Sequence, residues 1–140
     1  ENHRDEYYQR RKAISTERDW NGWIAFFLRA IIEQASQNIR RVEAIKTLYD
    51  EMKTAIQETT RSQYSVHLLD AIFSKPIFRT SDLAQQLAAD YGIHDKTAPA
   101  LLRQLRDAGI LRELQPGSGR RAATLCFPRL INLAEGREVL

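Results

Sequence analysis

The chain has 140 residues, 43% of them hydrophobic and 28% charged, which excludes a disordered segment and allows one or two modest cores. Its 21 Lys/Arg against 18 Asp/Glu leave a net charge of only +3, so basicity alone announces no nucleic-acid partner and any positive patch must be local. The apolar run from Trp20 to Leu28 stops at Arg29, far short of the roughly 20 residues that span a bilayer. No membrane or secretory segment is visible and a cytoplasmic location is expected. The single cysteine, Cys126, has no internal disulfide partner and is expected as a buried, inert thiol. Because Glu1 is not a methionine, the chain is expected to be processed or to be a fragment.

His3 to Ile14 is expected as a polar helix, with Asp5 and Glu6 in its first turn and Arg10, Arg11 and Lys12 towards its end, an order that suits the helix dipole. Ser15 to Asp19 should break it. A second helix is expected from an Asp19 cap, where Leu28, Ala35, Val42, Tyr49 and Ile56 interleave with Ile24, Ile31, Asn38, Ile45 and Met52 at heptad spacing. So wide a stripe must pack on a folded-back helix, on the C-terminal domain or on another copy of the chain. A homodimer is expected, with Trp20, Trp23, Phe27, Leu28, Ile31, Val42, Ile45, Tyr49 and Met52 at its interface. Asn38 either fixes register in that pair or is a tolerated polar residue on an ordinary core helix. The polar stretch Thr59 to Gln63 loses the periodicity, which divides the chain into a helical segment, 1–61, and a second domain, 62–140.

In the second domain, Ser65 to Ser74 carries Val66, Leu69, Ile72 and Phe73 on one helical face. Ser81 to Tyr91 is a further helix. Gly92, four residues after the small Ala88, suits the left-handed turn between two crossed helices; Leu87, Tyr91, Ile93, Ala98 and Leu101 should be buried where they cross. A recognition helix capped by Asp95 would bury Ala98, Leu101, Leu102 and Leu105, with Pro99 tolerated near its first turn. After Ala108-Gly109, a suitable C-cap, Ile110 to Leu114 and Ala123 to Phe127 read as two strands joined by the turn from Gln115 to Arg121. The fold class expected is mainly α: a helical segment with one long helix, followed by a winged helix-turn-helix of three helices and a small antiparallel hairpin.

His3, His67 and His94 lie far apart with no ligand spacing around them, so no metal site is expected. No catalytic residue can be nominated, because no nucleophile, base and orienting group occur together. Gly117 to Gly119 lacks the preceding buried strand and following Lys-Ser/Thr of a phosphate-cradling loop. What remains is a binding surface. Lys96, Thr97, Arg103, Gln104 and Arg106 on the recognition helix, with Arg120 and Arg121 on the wing, are groups that a major groove and its phosphates accept. The competing reading is that the helix arginines pair with Asp107 and its neighbours at the surface. Thr80 and Ser81 are candidates to hold a phosphate at a helix N-terminus.

Asn2-His3-Arg4-Asp5-Glu6-Tyr7-Tyr8, followed by the Trp-x-x-Trp-x-x-Phe-Phe-Leu pattern of Trp20 to Leu28, resembles the segment after the catalytic helix in Fic-family proteins. Many bacterial members continue with a similar long helix and a C-terminal winged helix, so the resemblance covers nearly the whole chain. It implies a parent that moves adenylate from ATP, with Mg²⁺, to a hydroxyl side chain of a target protein. The catalytic signature His-Pro-Phe-x-x-Gly-Asn-Gly-Arg is absent from these 140 residues. The resemblance therefore implies a non-enzymatic C-terminal fragment with no cofactor of its own. Its partners would be double-stranded DNA, a second copy and the parent's catalytic domain. Alternatively, the winged helix docks a target protein or drives oligomerisation.

Overall fold

Helix α1 (Arg4–Glu17) is followed by α2 (Trp20–Thr60), α3 (Ser65–Ser74), β1 (Ile77–Arg79), α4 (Thr80–Tyr91), α5 (Thr97–Asp107), β2 (Arg112–Gln115), β3 (Thr124–Cys126) and α6 (Pro128–Glu135). The computed structural model describes residues 4–94, 96–119 and 121–140. The chain is mainly helical with one small antiparallel sheet, and it forms two compact units, Glu1–Val42 and Glu43–Leu140.

In the first unit α1 continues three residues beyond the expected Ile14, through Ser15 to Glu17. Thr16 remains helical by donating its hydroxyl to the Lys12 carbonyl at 3.1 Å. The helix ends at Arg18, whose φ of 58° is left-handed. Asp19 then caps α2, its Oδ1 accepting the Gly22 amide at 2.9 Å. A Cβ on Gly22 would strike the Asp19 carboxylate and come within 3.0 Å of Arg10 Nη1, so a larger residue there would push the capping side chain aside. Tyr7 packs edge-on against Trp23 at 5.3 Å and Trp23 lies 5.9 Å from Phe26, while Arg29 donates to Glu6 at 3.2 Å. Phe26 is buried, yet Trp20, Ile24, Phe27, Leu28, Ile31, Ile32, Ile39 and Val42 remain between 48% and 66% exposed.

The second unit begins inside α2, not at the polar stretch expected to divide the chain. Leu48, Met52 and Ile56 on the last third of α2 are buried with Leu68, Leu69, Ile72, Leu83, Leu87, Leu102 and Leu105 in one core. Ile45 and Tyr49 are packed against its edge. The long seam is therefore not one interface: Met52, 6% exposed, is occupied by the chain's own core, whereas positions before Val42 are open. Asn38 is exposed and accepts the Gln34 amide at 3.0 Å. Tyr49 donates its hydroxyl to Asp70 at 2.6 Å, and its ring meets Phe73, which in turn meets Phe127.

The strands run in the order β1-β3-β2, both pairings antiparallel. Ile77 faces Cys126 and Arg79 faces Thr124 on one side of β3, and Arg112 faces Cys126 on the other. β1 turns Phe78 into the core and leaves Ile77 and Arg79 outside. The sequence did not announce β1 or α6. Three residues are too few for a period to emerge, and β1 depends on a partner nearly fifty residues away. α6 starts on Pro128, which needs no amide partner there, buries Leu130 and pairs Arg129 with Glu51 at 2.7 Å. Cys126 is fully buried, as expected for an inert thiol. None of the described helices is long and apolar enough to cross a membrane.

Candidate nucleic-acid interface

The turn between α4 and α5 is made by Gly92, at φ 65° and ψ 23°, whose amide reaches the carbonyls of Ala88 and Leu87. An L-residue is disfavoured in that conformation, and glycine occupies it without steric penalty. Ile93, 1% exposed, follows into the core, as Leu87 does. Tyr91 does not share that burial: it is 43% exposed and stacks on His67 with ring centroids 4.0 Å apart. Its phenol tip keeps water while its face is covered by the imidazole.

The Asp95 cap lies outside the described residues. Next to it, His94 holds the turn by other means, its Nδ1 accepting the Lys96 amide at 3.2 Å and its carbonyl the Thr97 amide at 2.9 Å. Lys96 occupies the N-cap position without a side-chain cap. On α5, Ala98, Leu101, Leu102 and Leu105 are buried as their spacing requires. Lys96, Pro99, Ala100, Arg103, Gln104 and Arg106 are exposed, and Thr97 is half-buried. Pro99 sits in the first turn, where its missing amide breaks no helical bond.

Beyond α5, Gly109 at φ 76° turns the chain, and Leu105 accepts from the amides of both Ile110 and Leu111. These two residues belong to that turn and not to β2, which starts at Arg112. The ladder between β2 and β3 shifts register between Glu113 and Gln115. A tight turn closes the wing, with Ser118 and Arg121 exchanging amide bonds at 3.0 and 2.9 Å. Arg120 lies outside the described residues; Arg121 is exposed and folds its guanidinium onto Gln115 at 2.6 Å.

A groove runs between α5 and the hairpin, lined by Thr80, Pro99, Leu102, Arg103, Arg106, Glu113, Ala123 and Leu125. Its two arginines differ. Arg106 donates to Asp107 at 2.8 and 3.1 Å and lies 3.5 Å from Glu113. The Asp107 hydrogen bond, then its charge, and then Glu113 raise the Arg106 pKa above its ordinary value. Arg103 has no ion pair or side-chain hydrogen bond among the described residues. Of the two readings the sequence allowed for these arginines, surface pairing with Asp107 and its neighbours holds for Arg106, whereas Arg103 is uncommitted among the described residues. Arg112, exposed on β2, adds a basic group to the hairpin that was not among the candidates, because Glu113 beside it masks the charge in a linear reading.

The phosphate position expected at the start of α4 is otherwise used. The Thr80 amide donates to the Ala123 carbonyl at 2.9 Å, and Ser81 donates to Asp82, an acid in the first turn. No group of three His, Cys, Asp or Glu that could hold a metal ion occurs among the described residues. Residues 48–121 match the family described as protein adenylyltransferase SoFic-like, C-terminal domain. The match opens at Leu48 in α2 and closes at Arg121 in the wing.

Proposed function

Because the chain belongs to the SoFic-like protein adenylyltransferase C-terminal domain family, we propose that its winged helix is the DNA-binding module of a Fic-type enzyme. The observation that carries this reading is the segregation of charge. Residues 96–121, which form the recognition helix and hairpin, hold six Lys/Arg against two Asp/Glu. The remainder of the second unit holds seven against ten. A modest net charge is thus the sum of a basic face and an acidic body, the distribution that a polyanion selects.

Arg103, Arg112 and Arg121 supply phosphate contacts with Lys96, and Gln104 stands beside Arg103 at the exposed face that would meet base edges. In this reading the domain serves autoregulation of its operon or positions the enzyme on DNA, in the bacterial cytoplasm. Adenylate transfer, with ATP and Mg²⁺, is the work of the parent's catalytic domain, and these 140 residues do not perform it alone.

The experiment is fluorescence anisotropy of a random-sequence duplex at two salt concentrations, comparing the chain with an Arg103→Ala, Arg120→Ala, Arg121→Ala variant. Salt-sensitive binding tighter than roughly 10⁻⁴ M that the variant loses is the expected result, because phosphate neutralisation releases counterions. Absence of binding at low salt, or equal binding by the variant, would reassign the winged helix to docking a protein.

A further inference from the structure

The pairing register of the sheet in the second unit sorts its charges by face. Residues directly opposite one another in an antiparallel ladder share a face, and neighbours along a strand alternate. Phe78, Leu125 and Glu113 therefore face one way: Phe78 and Leu125 are buried in the core, and Glu113 approaches Arg106 of α5. The opposite face carries one row of Ile77, Cys126 and Arg112 and a second row of Arg79, Thr124 and Gln115. Glu113 is the only acid in the three strands, so this outer face holds cations with no strand carboxylate beside them. Arg79 and Arg112 are exposed and make no ion pair or side-chain hydrogen bond among the described residues. Arg121 joins them at the wing end by donating to Gln115, a neutral acceptor that leaves its charge uncompensated.

We infer that this outer sheet face is a second contact surface for the phosphate backbone of duplex DNA, carried by Arg79 and Arg112 with Arg121 at its wing end. The inference rests on the DNA reading of the winged helix and extends it beyond α5 and the groove. Arg79 and Arg112 stand on the two strands that flank β3, one row apart. Two strand spacings of about 4.8 Å and two residue rises of about 3.4 Å put their Cα atoms about 12 Å apart on a diagonal. Along one DNA strand that distance spans roughly three to four phosphate steps of about 3.4 Å each. Cys126, on the middle strand, is fully buried, so no cavity opens between the two arginines. Charge spread along two edges in this way matches a repeating polyanion and offers no enclosure to a single small anion. Guanidinium groups suit that backbone, since their planar forks bind phosphate oxygens in pairs. Arg79 is the decisive member: it lies outside residues 96–121 and enters the basic side of the domain only because β1 pairs with β3.

The test is fluorescence anisotropy of a random-sequence duplex over a series of salt concentrations. The wild-type chain is compared with Arg103→Ala, with a double Arg79→Gln, Arg112→Gln variant and with a double Arg79→Lys, Arg112→Lys variant. Each phosphate neutralised contributes about 0.9 to the salt slope, so the glutamine pair is expected to lower its magnitude by about two and the lysine pair to keep it. Both positions are exposed, so helix content should stay the same, which circular dichroism checks. If the glutamine pair matches wild type in affinity and slope while Arg103→Ala lowers the slope by about one, the winged helix binds DNA through α5 and the sheet-face proposal is overturned. A lysine pair that loses as much as the glutamine pair also overturns it, because the effect is then one of structure and not of charge. Absence of duplex binding by the wild-type chain at low salt removes the DNA reading itself, and this surface with it.

Discussion

The Tyr49 hydroxyl donates to Asp70 Oδ1 at 2.6 Å, joining the last third of α2 to α3 at the rim of the core. This bond raises the Tyr49 pKa above its ordinary 10.0, with burial and the charges of Asp70 and Asp50 acting in the same direction. The protonated phenol is the bonded form, so the stabilisation is complete below pH 10 and is lost as pH rises through the raised value. Tyr49→Phe should lower stability by about 1 kcal/mol at neutral pH, the modest size reflecting solvent access to the pair. Denaturant unfolding at pH 7 and near pH 11 checks this: the difference between wild type and variant should shrink at the higher pH.

Gly92 separates conformational strain from packing. It lies at φ 65°, and an added Cβ would meet nothing within 4 Å. Gly92→Ala should therefore cost about 1–2 kcal/mol through backbone strain alone. Thermal unfolding should fall while the helix signal of the folded state stays constant. An unchanged melting temperature would mean that the turn relaxes to another conformation.

Leu87 and Leu105 are fully buried in the core shared by α2, α3, α4 and α5. Leu105→Ala should cost about 2–5 kcal/mol through lost transfer energy and a residual cavity. Ile32→Ala, at a side chain 64% exposed, should stay within about 0.5 kcal/mol in a monomeric state. Comparing the two in dilute solution distinguishes structural apolar groups from those available to a partner.

Arg103 and Arg106 face the same groove and are expected to behave differently on DNA. Arg103→Ala should weaken binding across sequences and lower the magnitude of the salt slope by about one. Arg106→Ala should leave the slope nearly unchanged, since its guanidinium is held by Asp107 and Glu113. Equal slope losses would show that Arg106 abandons both carboxylates on binding.

Much of this site follows from spacing alone. Ser65–Ser74 appears as a helix at the expected residues, and Ala88 with Gly92 marks the turn, because both depend on contacts within a few residues. The apolar set on α5 was legible for the same reason. Partners distant in sequence were not: Phe78 becomes a strand residue only beside Leu125, and the second carboxylate near Arg106, Glu113, arrives only because β2 returns to it. Tyr91 illustrates a further ambiguity, since an aromatic at an apolar position can be covered by one neighbour and remain wet at its tip. The heptad pattern on α2 correctly marked an apolar helix but concealed a change of partner near Val42, because a period carries no information about what covers it.

Leu48, Met52 and Ile56 lie upstream of the polar stretch that superficially separates two domains, yet they form part of the downstream core. A gene fragment that begins at Ser62 would encode a winged helix without one of its walls, whereas one beginning at Glu43 would carry the complete body. The portable unit of inheritance, the piece that could be grafted onto another protein and still fold, therefore includes the end of α2.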